Sequence, residues 1–362
     1  WGIEVCKTVV DIAKEYADKH GVKSAVRITP NDIREGSDLV HMWRGRHWDA
    51  MLETFEGCAK DGADLLSVES VGGKEVHDEA IMYCDIAKSV FALSALGCPD
   101  MKKLWTEIVA IAERTGAVAA GDTACGFANT AMVLADRNYV PKVFAAAVRV
   151  MTAVRSLVAF ECGAKGPDKD CGYEGVYVKA ITGMPISMEG RMSACAHLSP
   201  VGNVAGCLAD LWSNESVQNI KLLGGMAPTV SFEQLEYDCR MFNMASKRGR
   251  EASLLLRDIL ADSDSAFDPQ AYVLRPDVVL DISKELVKEE GYYNRTKKAA
   301  ALALEKIRSG YDSGKLRLDD KELMWLDRLS EDVDALPADL NTLTEDMLPQ
   351  CEKLDTAKYD MA

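Results

Sequence analysis

The sequence contains none of the short motifs that most often reveal a nucleotide or metal site. GxGxxG, HExxH and CxxC are all absent from its 362 residues. Because no glycine-rich fingerprint follows a predicted strand, an open doubly wound sheet is the weaker choice of α/β fold. Any metal site must instead be assembled from residues that are far apart in the chain.

Basic residues are also scarce. The chain has 42 Lys and Arg against 57 Asp and Glu, a net charge of −15, and no basic stripe. This balance excludes nucleic acid as a main partner, because phosphate binding needs clustered positive charge. The apolar runs are too short to predict a membrane span, and we expect no signal peptide. The 11 cysteines follow no disulfide pattern, so we expect a cytoplasmic protein with free thiols.

Short apolar segments alternate with amphipathic helical patterns about seven times. A helix is predicted over 3–20, ended by Gly21, and a long helix over 143–156. Asp100 is predicted to cap a helix, and Ser231 with Gln234 to form a capping box. The predicted strands are residues 23–28, 65–69, 90–95, 117–121, 157–161, 185–188 and a segment ending at 229–230.

This alternation predicts parallel strands joined by crossover helices. Seven units, with a first strand expected upstream of Trp1, favour an eight-stranded (β/α)8 TIM-type barrel over residues 1–265. From Asp268 onward the pattern is helical only. We therefore expect residues 266–362 to form a helical C-terminal extension that covers the barrel or contacts another subunit.

Three potential metal ligands follow predicted strands. Glu69 ends one strand, Cys125 follows the run AVAAGDT, and Cys171 lies in the loop after the predicted strand 157–161. The carboxyl ends of barrel strands meet at one mouth, where active sites lie. Two thiolates and a carboxylate suit zinc, and three protein ligands leave an open, catalytic position. From spacing alone, buried structural cysteines remain the alternative.

Other residues support alternative interpretations of the site. Lys74 and Lys165 follow predicted strands and would suit a metal-free Schiff-base lyase or decarboxylase if burial depressed a lysine pKa. Cys195 and His197 either line the mouth or pack in its wall.

Four long segments resemble a known family. GADLLSVESVGGKEV, AGDTACGFANTAM, GPDKDCGYEGVYVKAITGMPISMEGR and LWSNESV are similar to the methanol:corrinoid methyltransferases, and the similarity runs from Trp1 nearly to the C-terminus. The resemblance implies a (β/α)8 barrel with extra helices. It also implies zinc held by Glu69, Cys125 and Cys171.

The resemblance further implies methyl transfer from methanol to a cob(I)alamin-type corrinoid on a partner protein. The expected assembly is a homodimer or a hetero-oligomer with that corrinoid protein. A proton donor would assist the leaving oxygen. Asp122, Glu161, Asp170 and Glu174 are the acids nearest the ligands in sequence, and Asp122 is the first choice. A helix cap or an outer hydrogen bond is the alternative role for Asp122.

Two rival functions remain. One is a zinc methyltransferase for a larger donor, such as an aryl methyl ether. The other is a non-catalytic subunit that only docks a corrinoid protein. The segments 163–171 and 181–190 contain no aromatic residue to stack on an aryl ring, which favours methanol.

Overall fold

The computed structural model describes residues 1–36, 38–169, 174–187, 204 and 227–361, with the side chains of Cys125, Lys169 and residues 227–235 left out. Its strands are short and parallel. They are β1 Arg27–Ile28, β2 Leu65–Val68, β3 Val118–Asp122, β4 Asp168–Lys169 and β5 Ile186–Ser187. β1, β2 and β3 form one sheet in chain order, and β4 pairs with β5. The α/β arrangement with crossover helices is therefore confirmed.

Helices make up most of the described chain. Those that precede or separate the strands are α1 Gly2–His20, α2 Arg46–Lys60, α3 Lys74–Tyr83, α4 Ile86–Phe91, α5 Cys98–Thr115, α6 Thr130–Asp136, α7 Lys142–Glu161 and α8 Gly175–Thr182. Those after β5 are α9 Ala227–Lys247, α10 Arg250–Asp264, α11 Pro269–Tyr272, α12 Pro276–Leu286, α13 Tyr292–Asp312, α14 Asp320–Asp334 and α15 Leu340–Met347.

The core is built around α7. Every residue of this helix from Val143 to Ala159 is buried, and α13 and α5 pack against it. Within the described residues, α7 alone has the length and apolar composition of a membrane span, so the expectation that all apolar runs are too short was wrong. Its burial inside the protein identifies it as a core helix.

Three predicted strands are helical in the structure. Residues 90–95 lie in α4 and the π-helical segment Ala92–Gly97, 157–161 end α7, and 229–230 lie in α9. The first two are buried apolar runs, which periodicity alone does not separate from strands. The capping-box residues at 231 and 234 consequently lie inside α9 rather than at its start.

Asp100 does not cap a helix; it belongs to a buried charge cluster with Arg34. Arg34 donates to Asp100 Oδ1 at 2.6 Å and to Asp32 Oδ2 at 2.7 Å, and all three side chains are buried. Trp43 Nε1–H donates to Asp100 Oδ1 at 2.8 Å. The cluster joins the loop after β1 to the first turn of α5.

A second buried polar group is His77 on α3. Its ring is fully buried and packs edge-on against Phe127, with 5.1 Å between ring centroids. Neither ring nitrogen has a hydrogen-bond partner in the part of the chain that the structure describes. Burial, together with the positive charges of Lys74 and Arg155, lowers the pKa of His77 to about 3.

Replacing Arg34 tests the charge cluster. Arg34→Met leaves two buried carboxylates without their cation, so we expect a loss of about 3–5 kcal/mol in the free energy of unfolding. Urea denaturation measures this loss. Arg44→Met is the control, because Arg44 pairs with Asp360 while both side chains are more than half exposed, at 64% and 53%. An Arg34→Met midpoint equal to that of Arg44→Met would contradict the assignment.

Protonation of His77 should destabilise the fold in acid. The unfolded chain binds a proton at this histidine near pH 6.5 and the folded chain only near pH 3. Between pH 7 and pH 5 this difference removes about 2 kcal/mol of stability. We therefore expect His77→Leu to lose less stability than the parent over that range, measured by denaturant titration at each pH. His20→Leu, at an exposed position on α1, is the control. Parallel pH curves for parent and His77→Leu would refute this prediction.

Candidate functional site

Two of the proposed metal ligands follow neighbouring strands. Glu69 comes directly after β2, and Cys125 comes three residues after β3. These strands are parallel, with Val68 paired to Asp122, and Thr123 N–H donates to Val68 O at 3.3 Å. The backbone segments that carry Glu69 and Cys125 therefore leave the sheet at the same edge.

The third proposed ligand follows the next strand. β4 lies beside β3, because Lys165 N–H donates to Ala119 O at 2.8 Å and Asp168 packs over Gly121. Gly121 has φ +152°, and a Cβ there would overlap the Asp168 carboxylate, so this approach requires glycine. Cys171 comes two residues after β4 and lies outside the described residues.

The ligand atoms themselves are only partly described. The structure describes the backbone of Cys125 but not its side chain, and Asp170, Cys195 and His197 lie, like Cys171, outside the described residues. Glu69 is partly buried and forms a parallel bridge with Asn31 after β1. Within residues that the structure does describe, no three His, Cys, Asp or Glu side chains form a metal-binding group. The zinc hypothesis thus depends on backbone position and on the donor set.

Asp122 is fully buried at the end of β3 and accepts hydrogen bonds from three directions. Trp105 Nε1–H donates to Oδ2 at 3.2 Å, and Arg155 Nη1 and the Ser70 N–H donate to Oδ1 at 3.2 and 3.4 Å. Burial raises the pKa of the Asp122 carboxyl, while Arg155 and the N–H donors oppose that rise. The carboxylate form is the one that satisfies all three donors.

Arg155 connects Asp122 to the end of β2. It projects from α7, is fully buried, and donates through Nη2 to Ser70 O at 2.8 Å and to the Ser70 hydroxyl. Its guanidinium also lies 4.4 Å from the centroid of the Phe127 ring, in the π-helical segment that Cys125 begins. Arg155 therefore contacts both the residue that follows Glu69 and the segment that begins at Cys125.

Glu174 is buried at the same edge. Its Oε1 accepts from the Ala124 N–H at 2.6 Å and from the Ser156 hydroxyl at 2.8 Å. Ala124 immediately precedes Cys125, and Glu174 follows Cys171 by three residues. Glu174 thus links the segment of Cys125 to α7.

Glu161 does not lie at the end of a strand, where the sequence analysis placed it. The expected strand 157–161 is the last part of α7, so Glu161 precedes β4 instead of ending a strand. Its side chain is 42% exposed and pairs with Arg295 of α13 at 2.6 Å. The prediction of a strand over 157–161, on which the placement of Glu161 at the site depended, was therefore wrong.

The two lysines considered for Schiff-base chemistry lack an apolar, uncharged setting. Lys74 pairs with Asp78 and lies 3.9 Å from Glu35, and its stem passes over Gly126. Lys165 is exposed. These surroundings do not favour a neutral, nucleophilic amine, so the lyase reading has no support here.

Sequence reasoning missed Arg155, Ser156 and Trp105. A signal for Arg155 was present, because it is one of two arginines inside an otherwise apolar stretch of α7. An ionised residue in a helix buried on all sides needs a partner, and that partner is then a strong candidate for a functional region.

Comparison with known proteins gives a consistent result. The family model of the methanol-cobalamin methyltransferase B subunit matches residues 1–361. A methanol–corrinoid protein co-methyltransferase from Methanosarcina barkeri (strain Fusaro / DSM 804) is 42% identical over 353 residues, which are 96% of this chain and 76% of that protein.

A solved structure agrees with this match. A chain of the crystal structure of the methanol:cobalamin methyltransferase complex MtaBC from Methanosarcina barkeri superposes with a TM-score of 0.91. It is 40% identical, and the match covers 99% of this chain and 79% of that one. The resemblance seen in the sequence is confirmed: the chain belongs to the methanol-cobalamin methyltransferase B subunit family.

Proposed function

We propose that this chain transfers the methyl group of methanol to the cob(I)alamin-type corrinoid of a partner protein. The observation that carries the proposal is the family match over residues 1–361, in a chain whose Glu69, Cys125 and Cys171 follow the neighbouring strands β2, β3 and β4. In the reaction, the electron pair of cobalt(I) forms a bond to the methyl carbon. The C–O bond breaks, and the oxygen leaves with a proton as water.

The fold proposed for this function is the (β/α)8 barrel. Strands β1 to β3 adjoin in chain order, β4 lies beside β3, and the TM-score of 0.91 to the solved relative supports the same architecture. Residues 1–265 form the barrel domain in this proposal, and 266–362 form the helical extension. The packing of α13 against α7 supports an extension that shares the barrel's core.

The donor set fits zinc. Two thiolates and one carboxylate are ligands that Zn²⁺ accepts in a four-coordinate site, and a set of three leaves one position open. When bound there, zinc supplies a Lewis acid for the oxygen of methanol. Glu69, Cys125 and Cys171 are the residues proposed to hold it. The described cysteines are all free thiols, which fits a cytoplasmic, reducing environment.

Asp122 and Glu174 are the two candidate acids that this proposal keeps beside the oxygen of methanol. Asp122 and Glu174 are buried at the ligand-bearing edge, whereas Glu161 is paired with Arg295 elsewhere. A well-placed proton donor contributes about 10²- to 10⁴-fold to such a reaction. Asp122, the first choice from the sequence, is held as a carboxylate by its ion pair with Arg155 and therefore fits the alternative role, an outer hydrogen bond, rather than that of the proton donor.

The partner is proposed to dock over the strand-end face. A corrinoid is bulky and must reach the methyl carbon directly, so its protein has to cover the segments after Glu69 and after Gly121. The solved relative belongs to a complex named MtaBC, which supports a hetero-oligomer with a corrinoid protein. A homodimer of the present chain is compatible with this arrangement.

The zinc ligands are tested by single substitutions. We expect Cys125→Ser and Cys171→Ser each to lose most of one bound zinc per chain, because serine is a poor zinc ligand at neutral pH. Metal analysis of the purified full chain measures this. Cys58→Ala is the matched control, because burial raises the pKa of the Cys58 thiol to about 12 and keeps it protonated. Full zinc in both serine variants would overturn the ligand assignment.

Methanol specificity is tested by competition. Methanol, ethanol and a methoxyarene are each offered with reduced corrinoid, and product formation is followed. We expect methanol to react fastest, because a pocket built for one methyl group rejects larger donors at a cost of about 1–3 kcal/mol or more. Faster demethylation of the methoxyarene would favour the rival donor class. Turnover with free cob(I)alamin would exclude a subunit that only docks.

A further inference from the structure

The polar residues in the interior of α7 have partners that lie beside the proposed metal ligands. α7 is buried on all sides, and yet it carries Arg149, Arg155 and Ser156 in its interior. Burying a guanidinium costs several kcal/mol unless it is paired and hydrogen-bonded. Apolar residues in these positions would pack the helix at no such cost, so the partners of Arg155 and Ser156 indicate what they do.

The contacts of Arg155 lie next to two proposed ligands. Ser70, whose carbonyl and hydroxyl accept from Nη2, is the residue immediately after Glu69. Asp122, which accepts from Nη1, precedes Cys125 by three residues, and Phe127 follows Cys125 by two. The guanidinium therefore has one contact beside Glu69 and two that flank Cys125.

The contacts of Ser156 add a second link to the segment of Cys125. The Ser156 hydroxyl donates to Glu174, which follows Cys171 by three residues. The same Glu174 oxygen accepts from the N–H of Ala124, directly before Cys125. Two consecutive residues of one helix are thus bonded, directly or through the Glu174 carboxylate, to the segments that carry Glu69 and Cys125.

We propose that Arg155 and Ser156 are positioning residues that set the spacing of Glu69 and Cys125 for the metal, an inference that rests on the proposed function. Groups that hold metal ligands in orientation typically contribute about 10- to 100-fold to metal affinity. Arg155 has the larger share, because its planar fork bonds to two strand ends at once. A lysine would keep the positive charge beside Asp122 but would not span both Ser70 O and the carboxylate.

The test compares Arg155→Lys, Arg155→Met and Ser156→Ala with the parent chain. Zinc affinity is measured by competition with a chelator, and the visible spectrum of the Co²⁺-loaded chain reports the geometry at the thiolates. We expect Arg155→Lys to recover most of the stability that Arg155→Met loses, but to bind zinc about 10- to 100-fold more weakly than the parent, with altered Co²⁺ bands. Ser156→Ala is expected to weaken zinc binding in the same direction and by less.

Arg149→Lys is the matched control. Arg149 is also fully buried on α7, where it donates through Nε to Gln270 of α11 at 3.1 Å. We expect this variant to keep the zinc affinity and the Co²⁺ spectrum of the parent, whatever stability it loses.

The outcomes separate the two proposals. A parent chain that binds no zinc overturns the proposed function and this inference with it. A parent that binds zinc, with Arg155→Lys binding equally tightly and showing an unchanged Co²⁺ spectrum, overturns only the inference. An Arg149→Lys variant that weakens zinc binding as much as Arg155→Lys also overturns it, because the effect would then reflect general damage to α7.

Discussion

The arrangement of the site depends on one buried ion pair, between Asp122 at the end of β3 and Arg155 on α7. Both side chains are inaccessible to solvent, and their nearest N and O atoms are 3.2 Å apart. In a low-dielectric interior neither charge is tolerable alone, so each side chain fixes the other. Because Arg155 also bonds to Ser70, the pair ties the ends of β2 and β3 to the central helix of the core.

A buried ion pair of this kind fixes the spacing of the strand ends more closely than apolar packing does. An apolar core at this position would allow the strand ends to shift by small amounts, since apolar contacts have no direction. Hydrogen bonds from a planar guanidinium do have direction, and they fail steeply when the donor and acceptor move apart. The fold places this directional contact beside the segments whose spacing a metal ion would require to be held within a fraction of an ångström.

The sequence predicted local features well and buried ones less well. α1 ends before Gly21, which adopts the left-handed conformation expected of a glycine that follows a helix. The strands at 65–68 and 118–122 were also predicted, since short apolar runs there are bounded by loops. The end of α7 was misread as a strand, because a helix buried on every face has no periodic pattern.

The same limit applies to the site. Glu69, Cys125 and Cys171 could be proposed from their positions after strands and from the family resemblance. The partners of Arg155 could not be predicted, because a hydrogen bond such as Arg155 to Ser70 joins residues 85 positions apart and leaves no local pattern, although an arginine in the apolar α7 is itself a signal. Asp122 shows the difference: its place at a strand end was predictable, but its three donors come from α5, α7 and the end of β2.

The segment after Glu69 is held from the outside as well as from the core. Tyr359, near the end of the chain, accepts the Gly73 N–H at 2.9 Å and donates its hydroxyl proton to Glu75 at 2.9 Å. Burial raises the pKa of the Tyr359 hydroxyl, so it stays protonated and able to donate. The same C-terminal turn contacts the loop after β1, where Met42 N–H donates to Lys358 O at 3.0 Å.

The loop that follows β2 is therefore held at two residues, Ser70 and Gly73. Arg155 holds Ser70 from the core, and Tyr359 holds Gly73 from the C-terminal turn. The hydrogen bond from Gly73 to Tyr359 restricts the loop after β2, while Arg155 of α7 holds the end of β3 through Asp122. The C-terminal helices consequently do more than cover the fold: they complete the support of the segment that carries the proposed carboxylate ligand.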